Sequence, residues 1–116
     1  MVELRLATTD QNITVQGDQN NGSFFLVQSG QYDVEVRDYC DKEQFSSKRV
    51  RTISAGDLFG EVAVLYDCNR TATVKSKNFG TYGELPERAT KLILMEHPYF
   101  GMVLKTQSRY VYDDKL

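Results

Sequence analysis

Gly60, Glu61 and Arg70 combine a flexible backbone, a carboxylate and a guanidinium within eleven positions. Gly60 and Glu61 open the run Gly60-Glu61-Val62-Ala63-Val64-Leu65-Tyr66, and Arg70 follows the turn signal Asp67-Cys68-Asn69. A glycine lets the backbone approach another group closely. If residues 61–65 wind into one helical turn, its first amides have no partner inside the turn. Directed N–H groups and the local dipole there attract an anion. A guanidinium returning across the turn can pair two phosphate oxygens in a planar fork. Glu61 is repulsive beside an anion, so it makes sense as an acceptor for sugar hydroxyls while Arg70 takes the phosphate. The same residues also suit a plain Glu61–Arg70 ion pair on the surface beside an ordinary turn. Periodicity alone does not separate a buried strand from a short buried helix over residues 59–66.

Other chemistry has less to work with. His97 is the one histidine, which weighs against a metal held by two or three imidazoles. It sits beside Pro98, as a solvated helix-terminal residue would, with no nucleophile near it in sequence. Cys40 and Cys68 stand 28 positions apart and fit no zinc spacing. With no basic-then-apolar segment in the first residues, they read as reduced thiols in a cytosolic, cytoplasmic domain. A net charge of −2 gives no reason to expect nucleic acid as a partner. No apolar run reaches the roughly 18 residues that span a bilayer, so no direct membrane insertion is expected. A chain of 116 residues with 41% hydrophobic content implies one domain, 1–116, with a core of its own.

The elements that must position Gly60, Glu61 and Arg70 are mostly strands. Val2, Leu4 and Leu6 alternate with Glu3, Arg5 and Ala7, the pattern of a half-buried strand. Ile13 and Val15 alternate next, and the cluster Gly17-Asp18-Gln19-Asn20-Asn21-Gly22 is a turn. Phe24 to Val27 has strand length, and Tyr32, Val34 and Val36 form a two-faced strand. Asp38 to Arg49 reads as a long charged hairpin loop. Strands are expected again from Val50 to Ile53, Arg70 to Val74 and around Asn78 to Tyr82. Such short strands with frequent turns suggest an antiparallel sandwich or barrel. The tail changes in kind. Pro86 at a first helical position starts a helix carrying Leu85, Ala89, Leu92, Ile93 and Glu96 at helical spacing. Pro98 ends that helix at about His97. A second helical piece follows from Tyr99 to Ser108, and the end is frayed.

The order of residues in Phe59-Gly60-Glu61-Val62-Ala63-Val64-Leu65-Tyr66 and Arg70-Thr71-Ala72-Thr73-Val74 closely resembles the phosphate-binding cassette of cyclic nucleotide-binding domains. Upstream, Gly17-Asp18, Gly22 to Val27 with Gly30, and Ala55-Gly56-Asp57-Leu58-Phe59-Gly60-Glu61 resemble the same family. The likeness covers about residues 13–76 well and the helical region more weakly. It implies a mainly β fold with flanking helices, an eight-stranded antiparallel β-roll over residues 1–84 with the cassette at 59–74. A C-terminal helical region then spans 85–116.

Carried over by position, the resemblance implies a binding set of Phe59, Gly60, Glu61, Val62, Ala63, Arg70, Thr71 and Ala72. Arg70 would bind the exocyclic phosphate oxygens and Glu61 the ribose 2′-hydroxyl. Gly60, Val62 and Ala63 would offer backbone N–H groups, and Thr71 or Ala72 would complete the cradle. A hydroxyl at Thr71 resembles the kinase version that reaches the guanine amino group, which favours cGMP over cAMP. Three departures accompany the likeness: Asn69 stands where the family has proline, the 38–49 loop is long, and the helix ahead of the roll and most of the lid helix are expected to be lacking. Lys77 to Tyr82, Leu85-Pro86 and Tyr112-Asp113-Asp114 look somewhat like protozoan cyclic-nucleotide-gated channels. The expected role is a non-catalytic regulatory module linked in cis to a kinase or a channel. Its alternatives are the same fold binding a nucleoside, another ligand or nothing, and a small cupin-type enzyme, against which the lone His97 argues.

Overall fold

The computed structural model describes residues 2–38 and 46–103, with backbone alone at 38 and 46–50. These described residues form strands β1 (Glu3–Ala7), β2 (Asn12–Thr14), β3 (Phe24–Ser29), β4 (Tyr32–Asp38), β5 (Ser46–Ile53) and β6 (Leu58–Phe59). Helix α1 (Glu61–Leu65), β7 (Thr73–Ser76), β8 (Gly80–Leu85) and α2 (Glu87–Glu96) follow. Two four-stranded antiparallel sheets, ordered β1-β8-β3-β6 and β2-β7-β4-β5, face one another. This is the mainly β roll with flanking helices that the resemblance implied, eight strands included.

Alternation along β3 and β4 explains the core. Phe25 and Val27 turn inward from one sheet, Tyr32 and Val34 from the other, and all are buried. Four rings meet between the sheets. Phe25 stacks on Phe59 at 4.8 Å and 14°, and Tyr82 lies edge-on to Phe25 at 5.9 Å. Tyr32 stands edge-on to Tyr82 at 6.3 Å. These are favourable offset and T-shaped geometries.

Several boundaries differ from the sequence expectation. β5 begins at Ser46, so part of the expected 38–49 loop is strand, with a register shift between Val34 and Glu35 of its partner. The rest of that loop, Cys40 included, lies outside the described residues. The strand expected from Arg70 begins only at Thr73. The backbone of Arg70 is instead tied to the β2–β3 connection, donating to Asp18 O and accepting from Gly17 N, both at 2.8 Å. The strand expected around Asn78 begins at Gly80, because Asn78 Oδ1 is held in the preceding turn by the Gln31 N–H at 3.0 Å.

At Gly80 two backbones cross closely. A Cβ there would lie 2.4 Å from Ser29 O and 3.0 Å from Gly30 Cα. Neither atom belongs to a flexible side chain. Gly80→Ala is therefore expected to destabilise the fold by about 1–3 kcal/mol through overpacking. A urea melt checks this, and an unchanged midpoint would show that the crossing yields freely.

The helical region also shifts. Pro86 is the N-cap of α2 with extended backbone, not its first helical residue. β8 runs on to Leu85, so the roll ends one residue later than expected. His97 closes α2 as expected, and residues 98–103 are helical again. The expected continuation to Ser108 and the frayed end lie outside the described residues. Thr90, not Leu92, is the buried residue of α2, and Leu92 is exposed. Because α2 starts straight after β8, its first turn is pinned there. Thr90 donates from N to Pro86 O at 2.9 Å and from Oγ1 to Leu85 O at 3.2 Å.

The largest departure concerns β1. Leu4 and Leu6 in it, and Val2 just before it, face solvent, and Ala7 is the residue that enters the core. Arg5 pairs with the inward-facing Tyr82 and shares its face, so the alternation is real but its apolar side is the outer one.

Candidate functional site

Phe59 sits in the aromatic core, and the next residue turns the chain into α1. Gly60 caps that helix in the left-handed region at φ 79°. A Cβ there would be strained in itself and would lie 3.0 Å from both Arg70 Nη1 and Phe25 Cδ2. α1 is a single short turn, closed by Tyr66 N donating to Val62 O and Cys68 N to Ala63 O, both at 3.0 Å. Asp67, at φ 51°, then reverses the chain toward Arg70.

Arg70 is only 7% exposed and Glu61 only 6%, so the surface ion pair that the sequence also allowed is not what forms. The Arg70 guanidinium donates from Nη1 to Gly60 O at 2.9 Å. From Nη2 it donates to Asn21 Oδ1 and Ser23 O, both at 3.0 Å. Its carbon lies 5.6 Å from the centre of the Phe25 ring, within cation–π range. Burial lowers its pKa from the ordinary value, opposed by the field of the Glu84 carboxylate. Arginine remains charged under such a shift. A guanidinium has five N–H donors. Three are committed to described residues, which leaves capacity for an incoming anion.

The β2–β3 connection is what holds this arrangement. Asn20 Nδ2 donates to Cys68 O at 2.7 Å and clamps the connection to the turn after α1. Asn21 Oδ1 also accepts from Ser23 N at 3.2 Å. Ser23 Oγ donates to Glu84 Oε2 at 3.0 Å, and Glu84 meets Arg5 Nε at 3.4 Å. Sequence reading took 17–22 as a turn and passed over Asn21, Ser23 and Glu84. The adjacent asparagines beside Gly22 were the available signal, since such side chains accept from backbone two residues on.

Gly60, Val62, Ala63, Arg70, Thr71 and Ala72 come together around one small hollow, with Thr14 and Val74 completing it. Phe59 does not line it, being fully buried in the core. Glu61 is buried and also stands outside its lining. The hollow measures about 10 Å³, close to the size of one water. A second cavity, of about 600 Å³ and mixed polar and apolar lining, lies between the turn 67–69 and α2. Val64, Cys68, Thr90 and Leu94 are among its walls. Cys68 is a free thiol.

Comparison with known proteins gives the family. The family model of the cyclic nucleotide-binding domain matches residues 5–97. A cGMP-dependent protein kinase of Plasmodium berghei is 31% identical over 70 residues, covering 60% of this chain and 7% of that protein. A cAMP-dependent protein kinase regulatory subunit of Colletotrichum orbiculare is 32% identical over 103 residues, covering 85% of this chain and 26% of that protein. The chain thus spans about a quarter or less of the length of these relatives. Among solved structures, the catabolite activator protein of Thermus thermophilus superposes with a TM-score of 0.81 at 19% identity, over 97% of this chain and 52% of that one. At that identity the likeness speaks for the fold.

Proposed function

The chain belongs to the cyclic nucleotide-binding domain family, and on that premise we propose that it binds a cyclic nucleotide at the hollow beside α1 and passes the binding to a linked kinase. One observation carries this reading: the buried Arg70 guanidinium is held in the wall of that hollow, at the start of α1, with donors to spare. Its two remaining N–H donors take the cyclic phosphate, and the first backbone N–H groups of the α1 segment add to the cradle. Glu61 takes the ribose hydroxyl. Thr71 is exposed at the rim, where its hydroxyl can reach a base amino group, which favours cGMP.

A nucleotide is far larger than the hollow, so occupancy must move α1 and the turn 67–69. The cavity between that turn and α2 is space in which the shift can occur. Moving α2 is then the route to an effector, with a coupling no larger than the ligand's differential affinity for the two arrangements. The kinase as effector rests on the two kinase-type relatives, which give a channel no support.

The closed hollow also favours a second reading, the same fold binding no nucleotide, with a nucleoside as the further alternative. Titration calorimetry with cGMP, cAMP and inosine separates the two. Heat from the cyclic nucleotides supports the proposal, and heat from inosine alone, or from none, overturns it. For Thr71→Ala we expect cGMP binding to weaken by about 1 kcal/mol, one neutral hydrogen bond, with cAMP little changed. Equal losses for both ligands would remove the case for guanine selectivity.

A further inference from the structure

Among the described residues β1 is an edge strand, paired only with β8. Val2, Leu4 and Leu6 on its outer face are 57%, 64% and 63% exposed. Glu3 and Arg5 share the other face and form an ion pair at 2.7 Å, with both side chains about half exposed. An open edge with an apolar face and no proline is a template for another strand. The outer face also continues past Val2 into an apolar groove of about 530 Å³, bounded by Leu26, Leu58, Ile93 and Phe100.

The order of residues along this edge selects its partner. Val2-Glu3-Leu4-Arg5-Leu6 is complementary to its own reverse. We propose that β1 is a self-association edge, on which a second copy of the chain lays its own β1 antiparallel about a two-fold axis through Leu4.

In that register Leu4 meets Leu4 of the second copy, Val2 meets Leu6, and Glu3 meets Arg5. Every opposed pair is then apolar on the outer face or oppositely charged on the other, which are the stabilising combinations across antiparallel strands. Symmetry makes the Val2–Leu6 and Glu3–Arg5 contacts occur twice and the Leu4–Leu4 contact once, on the axis. Neighbouring registers lose this match. Moving the axis to Arg5 sets arginine against arginine, and moving it to Glu3 sets glutamate against glutamate. A slip of one residue opposes apolar and charged side chains on different faces. Leu6 of the second copy, facing Val2, sits at the mouth of the apolar groove and extends the contact. The interface is small, so the dimer is a weak one.

Sedimentation equilibrium between about 10 µM and 1 mM protein tests this, the range expected for a contact of such size. The chain should show a monomer–dimer equilibrium. Leu4→Lys should weaken it at least about tenfold by placing like charges on the axis. Arg5→Glu should weaken it comparably, and the double variant E3R/R5E should restore it, because the swapped charges again oppose one another. Should Arg5→Glu disturb folding through its contact with Glu84, Leu4→Lys still decides, since Leu4 is exposed. A chain that stays monomeric throughout overturns the proposal. So does a dimer indifferent to Leu4→Lys, or one that the double swap fails to restore.

Discussion

Arg70→Ala should weaken cyclic nucleotide binding by about 2–5 kcal/mol, roughly thirty- to several-thousand-fold, because a desolvated phosphate loses its charged partner. Calorimetric titration of the folded variant measures it. Unchanged affinity would remove Arg70, and with it the proposed site. A second effect comes from the contacts of the guanidinium. Read from the sequence, Arg70 is a ligand group alone, and its loss would leave the fold nearly untouched. In the structure it ties Gly60 O, Asn21 Oδ1 and Ser23 O together. Alanine would strand those acceptors in a buried region, so a stability loss of about 1–3 kcal/mol is expected as well. Arg70→Lys separates the two roles. It keeps the charge, but one ammonium cannot span both Gly60 and the β2–β3 connection, so affinity should fall even where stability partly recovers.

Phe59→Ala is expected to cost about 3–5 kcal/mol of stability, the usual range for emptying a buried phenylalanine position. Phe59 is fully buried and stacks on Phe25, whose ring also lies under the Arg70 guanidinium. The loss thus reaches the site through packing. Chemical denaturation gives the number. A loss below about 1 kcal/mol would mean that the core collapses around the gap, and the ring cluster would not then be the anchor of α1.

Much of the site was legible because it is local. Phe59 through Ala72 is a single stretch, and the pattern of glycine, acid, small apolar residues and arginine carries its meaning at fixed spacing along the chain. Phe59 shows where that reading stops. It belongs to the family pattern, yet its ring packs into the core and touches no part of the hollow. Asn21, Ser23 and Glu84 escaped notice because their part in the site depends on contacts 47 to 61 residues away along the chain.

The strand-rich class, the turn positions and the cassette could be read along the chain, since period-two alternation, glycine placement and a contiguous motif are all short-range properties. Tertiary structure alone decided which side of each strand is inside. β1 alternates as cleanly as β4, but alternation is symmetric between its two faces. The register decided it: Arg5 pairs with the inward Tyr82 and so shares its face, which leaves Leu4 and Leu6 on the outer one. The same holds for Arg70: its charge could be read from the chain, but its burial and its three protein acceptors come from a loop that only folding brings to it.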